Sequence, residues 1–299
     1  MKKQIKYIYI LLLVLLLLFW LQKPDDKLHL IFCNVGQGDG VLISQGRNQI
    51  LIDGGPDESV LSCLSNHVPF WDRKIEIVIL THPDSDHFYG LTGVVERYEV
   101  DKFIANPFIT SGNSDLVALA SLIEEKKISV YSPSQGDIIK LGGISLSILW
   151  PDKMRMEETG RIENLAEDKI GSFSVFDNSL IDSNNYSIVA HLNYGSFDAL
   201  LTGDLPREES QLLFWQKKLF PVEVLKASHH GSKNDNPQEL YQGTNPSLVV
   251  FSAGKNNFGH PDKNLIKKLS ESNINYRRTD EDGDVEIVTD GKSWEVVVN

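Results

Sequence analysis

From residue 28 onward, apolar and polar positions fall into short runs separated by turn-forming residues. LHLIFCNV, the glycine-rich GQGDG, VLISQG and QILIDGG read as strands joined by tight turns. A helix-like stretch at about 57 to 69 precedes the strand IEIVIL and the helix-like GLTGVVERY. VDKFIANP predicts a strand, SDLVALASLIEEKK a helix, and ISVYSP and GGISLSILWP two more strands. The second half continues with YSIVAHLNYG, FDALLTGD, the helix PREESQLLFWQKKLF, the strands VEVLKASHHGS and SLVVFSAG, the helix PDKNLIKKLSES and the strand pair DVEIVTD and SWEVVVN. Strands alternate with helices, which predicts a layered α/β domain, and the tight turns point to mixed sheets flanked by helices. Residues 152–185 break the rhythm with a polar, acidic stretch in which neither period persists, expected to be a long insertion loop or lid. No repeat of 20 to 50 residues is evident, so one domain covers 24–299.

Residues 7 to 22, YIYILLLVLLLLFWLQ, differ from everything after them: almost wholly apolar, with no polar face and three lysines in front. The basic flank predicts residues 1–23 to be a cytoplasmic stub and a transmembrane anchor, with the remainder outside the cytoplasmic membrane. The exit LQKPDDKL lacks an A-x-A type of cleavage site, which favours an uncleaved anchor over a removed signal and secretion.

Hydrophobic content of 41% and charged content of 23% are ordinary for a globular chain and exclude disorder as the default. The net charge is −12, and without Lys2, Lys3, Lys6 and Lys23 the remainder holds 25 basic against 41 acidic residues. Such acidity disfavours a broad phosphate-binding surface, although bound divalent cations and a local basic strip still admit a polyanion. The two cysteines, Cys33 and Cys63, could be joined in an exported chain, but buried, unpaired thiols are the favoured expectation.

The chemistry concentrates after IEIVIL, where LTHPDSDHFYG places His82, Asp84, Asp86 and His87 within six residues. Side chains leave a strand with period two, so His82 and Asp84 share one side, and Asp86 and His87 follow at the start of a helix. Packing four ionisable groups without ions would require several pKa shifts, so the row predicts metal ligands, for two ions rather than one. LLTGDLP ends another strand in Asp204, and LKASHHGS ends the next in His229 and His230; strand ends are where open sheets assemble sites. Asp39 and Asp53 are expected to be supporting groups beside this edge. The spacing of Gly36, Gly38 and Gly40 matches no phosphate-binding loop.

His82-Pro-Asp84-Ser-Asp86-His87 resembles the H-x-[HD]-x-D-H motif of the metallo-β-lactamase superfamily. NVGQGDG, LIDGG, HPDSDH, NNYS, LLTGD, ASHHGS, FGHP and RTDEDG follow one another as in the extracellular hydrolase domain of the ComEC competence proteins and its free-standing relatives. The resemblance runs from about residue 28 to the end. It implies an αββα four-layer sandwich with two divalent ions, Zn or Mn, along one edge. Carried over by position, His82 and Asp84 would hold the first metal, Asp86 and His87 the second, and Asp204 would bridge. His229 is favoured over His230 to complete the second site. Asp86, His230 and His260 are the candidate catalytic groups, and Lys226, Lys233 and Asn185 the candidate substrate contacts. Two departures stand out. Asp84 replaces the more usual His and makes the first site harder, and the middle His ligand of the family is missing. His191, the one His in that interval, has the alternation of a strand surface residue, leaving water and the Asn184-Asn185 loop to complete the first metal.

These features predict an outward-facing, membrane-anchored dinuclear hydrolase acting on phosphodiesters, DNA included. A phosphoesterase of cell-envelope material and a non-catalytic accessory subunit to a separate uptake channel are the alternatives. The departures from the family pattern speak against β-lactam hydrolysis.

Overall fold

Alternation along the strands decides the layering. In β1 (Leu28–Phe32), Leu28, Leu30 and Phe32 enter one apolar core while Ile31 enters another, so both faces of the strand are buried. The computed structural model describes residues 2–106, 108–110, 112–157, 168–176 and 182–298. An apolar helix α1 (Lys2–Leu21) precedes β1. The chain then forms β2 (Val41–Gln45), β3 (Asn48–Ile52), α2 (Ser59–His67), β4 (Lys74–Ile79), α3 (Ser85–Arg97) and β5 (Glu99–Ile104). Next come β6 (Phe108–Thr110), α4 (Ser114–Glu125), β7 (Ser129–Tyr131), β8 (Ile138–Leu141), β9 (Ile144–Trp150), β10 (Asp168–Ile170) and β11 (Phe173–Phe176). The second half contains β12 (Val189–Tyr194), β13 (Phe197–Leu201), α5 (Arg207–Trp215), β14 (Val224–Lys226), α6 (Gln238–Thr244) and β15 (Leu248–Phe251). It closes with α7 (Lys263–Glu271), β16 (Asn275–Arg278), α8 (Thr279–Asp282), β17 (Val285–Thr289) and β18 (Trp294–Val298).

Eight strands in the order β18-β17-β1-β2-β3-β4-β5-β7 make one mixed sheet, and seven in the order β16-β15-β14-β13-β12-β9-β8 make the other. The inner faces meet through Leu30, Phe32, Ile50, Ile79, Leu146, Leu192, Leu201 and Val250. Helices α2, α3 and α4 cover the outside of the first sheet through Leu64, Phe88, Leu91, Leu119 and Ile123. Helices α5, α6 and α7 cover the second through Leu213, Leu240, Leu265 and Leu269. The result is the expected four-layer αββα sandwich. Strands β3, β4 and β5 run parallel, as do β13 to β16, so their C-terminal ends gather at one edge.

Two expectations change. Part of the stretch expected to be a loop forms the hairpin β10–β11, whose Phe173 and Val175 pack on the α3/α4 core, and β11 pairs in parallel with β6. Residues 158–167 and 177–181 of that stretch lie outside the described residues. Cys33 and Cys63 are not free thiols but a disulfide, Cα–Cα 5.7 Å. Cys33 faces the helical layer just beyond β1, and Cys63 lies on the buried face of α2 against it. Among the described residues no helix is long and apolar enough to cross a membrane, so the expected anchor is not confirmed. Helix α1 leaves Tyr7, Ile8, Tyr9, Leu11, Leu12 and Leu13 exposed, side chains that between them point in every direction around its axis.

Candidate metal centre

Five strand ends build the site. β3 leads into Asp53, which adopts a left-handed conformation (φ 60°), and β4 into Thr81 and His82. Helix α3 begins directly after Asp84 and carries Asp86 and His87. β13 leads through Gly203 to Asp204, and β14 through Ala227 and Ser228 to His229 and His230. β15 supplies the Ser252 carbonyl beyond its end. Gly203 is required: its φ is +53°, and a Cβ there would meet the Ser187 hydroxyl and Thr81. His229 and His230 are both left-handed, with φ 47° and 53°. Each non-glycine residue held there costs on the order of 1 to 3 kcal/mol, and such strain gathers at functional sites. Asn236 holds this turn, its amide donating to the Ser228 and Ser232 carbonyls at 2.8 Å while its oxygen accepts the Ser228 N–H at 3.1 Å.

One carboxylate lies at the centre. Asp204 Oδ2 is 4.0 Å from His82 Nε2, 3.4 Å from His87 Nε2, 3.4 Å from His230 Nε2 and 3.6 Å from His229 Nε2. The opposite nitrogen of each ring is already engaged. His82 Nδ1 meets Thr81 Oγ1 at 3.0 Å, and that hydroxyl donates to Asp53 Oδ2 at 2.7 Å. His87 Nδ1 bonds Asp53 Oδ2 at 2.9 Å, His230 Nδ1 the Ser252 carbonyl at 3.0 Å, and His229 Nδ1 Asp235 at 2.9 Å. With Nδ1 committed, each ring offers its Nε2 lone pair toward Asp204. The buried Nε2 atoms of His82 and His87 and Oδ1 of Asp204 make no hydrogen bond, which is costly for buried polar atoms unless an ion takes them up. Asp86 Oδ2 is 3.2 Å from His230 Nε2, and Asp84 Oδ2 is 3.8 Å from His82 Nε2. Nitrogen and carboxylate donors in this arrangement fit divalent ions. Compact groups with ligand spacing are His82–His87–Asp204, Asp86–His87–His230 and Asp39–Asp204–His230.

Electrostatics agree with that donor set. Burial drives the His82 ring toward its neutral form, and the charge of His87 reinforces this. At His87 and His230 burial is outweighed, by Asp204 with Asp53 in one case and Asp204 with Asp39 in the other, and both rings are pulled well above the usual imidazole range. Burial would raise Asp204, yet His230 and His87 hold it well below the carboxylate range. Protons thus occupy the positions that cations would take.

The predicted residues do not all converge. His82, Asp86, His87, Asp204, His229 and His230 come together, with Asp84 half-exposed at the rim, where Ser183 Oγ donates to Oδ1 at 2.6 Å. Between the two adjacent histidines the geometry favours His230: it is buried and joins Asp86 and Asp204, whereas His229 is a third exposed and leans on Asp235. The left-handed turn decides which ring points inward. Lys226 is not a substrate contact. It is 2% exposed, forms an ion pair with Asp39 at 2.6 Å and donates to the Gly203 carbonyl at 3.0 Å, because β14 is a central strand buried on both faces. Lys233 is exposed in the loop after the histidine turn. Asn185 lies in the turn Ser183–Tyr186, where its carbonyl accepts the Trp150 indole N–H at 2.8 Å; its neighbour Asn184 has a buried, unpartnered Oδ1. His260 stacks edge-on to His229, ring centroids 5.7 Å apart. Burial, followed by the charges of His229 and His230, keeps its ring toward the neutral form. His191 is bound to Asp198 at 2.7 Å on β12 and plays no part in the site. Sequence reading missed Thr81, Ser183 and Asn236, whose hydroxyl and amide contacts become visible only through space.

A sequence profile of the metallo-beta-lactamase superfamily matches residues 33–240, and the chain belongs to that superfamily, whose fold binds divalent metals, often two. It is 26% identical over 296 residues to ComE operon protein 3 of Bacillus subtilis (strain 168), covering 91% of this chain and 34% of that protein. Recombination protein 2 of Haemophilus influenzae is 22% identical over 285 residues, covering 94% of this chain and 31% of that protein. The chain thus spans about a third of the length of these competence-related relatives. Among solved structures, the metallo-beta-lactamase fold protein YhfI from Bacillus subtilis superimposes with a TM-score of 0.57 at 12% identity, over 89% of this chain and 100% of that one.

Proposed function

We propose that the protein is a membrane-anchored, outward-facing dinuclear hydrolase that cleaves phosphodiesters, with DNA as the polymer the relatives suggest. The observation that carries this reading is the Asp204 carboxylate facing four imidazole Nε2 atoms whose Nδ1 partners are fixed. His82 and Asp84 would hold one ion, and Asp86, His87 and His230 the other, with Asp204 between them. Two divalent ions so held supply an activated water and neutralise charge on the attacked phosphoryl group. The chain's own residues do the rest. Asp53 and Thr81 lock the His82 and His87 rings, so neither can turn its lone pair away. Lys226 neutralises Asp39 behind His230. The neutral His260 stands beside His229 at the open side, where its N–H can donate to the leaving oxygen.

The location rests on two features. A helix whose described apolar side chains are exposed all around its axis is stable in lipid and not in water, and the lysines in its first turns would orient the domain outward. The Cys33–Cys63 disulfide suits an oxidising compartment. A reporter fused after residue 299 should be exposed outside the cytoplasmic membrane, and the protein should stay with membranes at high salt.

The test is metal analysis of the full chain in detergent, followed by assay against oligo(dT), a bis-aryl phosphodiester, an aryl phosphomonoester and glycerophosphocholine. Close to two equivalents of Zn or Mn and hydrolysis of diesters are expected, with His87→Ala lowering turnover at least about a hundredfold. A chain that binds no metal, or a loaded one that cleaves no diester, would instead be an accessory binding subunit.

A further inference from the structure

The loop between β15 and α7 holds an aromatic ring where folding gives it no reason to be. Phe258 is 76% exposed, although it lies two residues from His260 at the open side of the metal centre. Its ring centroid is 5.9 Å from that of His260 with a tilt of 35°, and His260 is in turn 5.7 Å from His229. The loop is not slack. Asn256 Oδ1 accepts the N–H groups of Phe258, Gly259 and His260 at 3.0, 2.9 and 3.1 Å, and its Nδ2 donates to Gln37 Oε1 at 3.1 Å and to the His260 carbonyl at 2.6 Å. Gly254, at the start of the loop, approaches the Gly36–Gln37 backbone so closely that a Cβ would collide with it. The glycine-rich turn after β1 therefore anchors the loop, and Phe258 is presented to solvent on a backbone whose ordering cost is already met.

A fixed, open aromatic face beside a phosphodiester centre matches one chemical feature of a nucleic acid that ions and carboxylates cannot read, the flat face of a base. Resting on the diesterase reading above, we propose that Phe258 is a stacking platform for an unpaired nucleobase adjoining the phosphate at the metal edge, which makes the substrate single-stranded nucleic acid. Bases in a duplex have both faces covered by their neighbours and cannot use such a platform. Stacking also answers the charge problem. A chain with net charge −12 gains little long-range attraction for a polyanion, and stacking adds affinity that does not depend on charge, with the exposed Lys255 three residues before Phe258 to meet phosphate. A quaternary ammonium of the choline type is held by a box of aromatic walls, whereas the described residues give Phe258 one open face beside one imidazole.

The experiment uses the full chain in detergent, loaded with Zn or Mn, and fluorescence anisotropy with three labelled probes. These are phosphorothioate oligo(dT), an abasic oligomer of equal length and backbone, and a duplex. Phe258→Ala should weaken oligo(dT) binding about tenfold to a hundredfold. Phe258→Trp should bind as the wild type does, and the abasic oligomer should bind equally to all three proteins. In hydrolysis of unmodified oligo(dT), Phe258→Ala should raise KM by a similar factor and leave kcat in place. An unchanged melting temperature for Phe258→Ala is expected of an exposed ring. Equal losses on oligo(dT) and the abasic oligomer, no binding of oligo(dT) by the wild type, or Phe258-dependent competition by glycerophosphocholine in place of the oligomer would each overturn the proposal. Base-dependent binding without hydrolysis would uphold it while removing the diesterase reading, and hydrolysis indifferent to Phe258 would do the reverse.

Discussion

The molecule has two clusters of histidine and carboxylate, and they are built on opposite logics. In one cluster, His29 Nδ1 bonds Glu286 at 2.6 Å and its Nε2 bonds Asp25 at 2.9 Å, while His67 Nε2 meets Asp284 at 3.2 Å. Both nitrogens of His29 are taken up, and the two rings there have three carboxylates between them, Asp25, Asp284 and Glu286. At the metal edge a single Asp204 carboxylate is shared by four rings, and the buried Nε2 atoms of His82 and His87 make no hydrogen bond. The composition of the two clusters is the same in kind. What separates a structural pair from a ligand set is whether the donor and acceptor counts close without an ion.

Breaking the open cluster should have the largest effect. Asp204→Asn removes one charge seen by every ring, so metal content measured by mass spectrometry should fall at both positions and diesterase activity by at least about a thousandfold. Full metal content in that variant would show that the two halves of the site do not share this carboxylate. Beside the closed cluster the disulfide carries more than the ion pairs do. Cys63→Ser releases a cross-link spanning 30 residues of sequence and should cost about 3 kcal/mol in denaturant unfolding, with metal content in the folded protein retained. Returning to the open side, His260→Ala should lower turnover about tenfold to a hundredfold with both ions still bound, since in the proposed reading it serves the leaving group and holds no ion. A loss of metal would move His260 into the ligand set.

The smallest effect sharpens the comparison through pH. The hydrogen bond from Glu286 raises His29 above 6.5, so its contribution to stability is complete below that value and fades as pH rises through the folded pKa. The same bond lowers Glu286 below 4.5, so its contribution is complete above that value and is lost as pH falls through the folded pKa. The pair therefore stabilises most between about pH 4.5 and 6.5, by less than about 1 kcal/mol given its partial exposure. In Glu286→Gln that advantage should vanish from the stability–pH curve. A curve unchanged from wild type across this range would show that the closed cluster contributes nothing through charge.

Local sequence carried the parts of the site that are local. His82, Asp84, Asp86 and His87 follow from one strand end and one helix start, so their order on the chain is nearly their order in space. The choice between His229 and His230 was not legible, because it depends on two left-handed residues whose strain is supported by Asn236 and by the packing of Gly231 against Phe251 and Pro261. Lys226 misleads for a related reason: a lysine at a strand end reads as exposed unless its partner, here Asp39 in the first turn, is known. The cysteines lie 30 residues apart with two strands, β2 and β3, between them, and only the crossing of α2 over the end of β1 reveals their proximity. The strand and helix order was legible almost throughout, since each element carries its own period. The hairpin at 168–176 was hidden because each strand is only three or four residues long.

The proposed ligands are divided between the two sheets. His82, Asp84, Asp86 and His87 follow β4, whereas Asp204 and His230 follow β13 and β14 of the opposite sheet. An ion held between them is a rivet through the sandwich, and sliding one sheet over the other by even an ångström would pull it apart. The two halves of this gene product are therefore not free to drift independently. A substitution that shifts either sheet must be answered in the other, and hybrids joining the first half of one relative to the second half of another should fail by losing metal before they lose their fold.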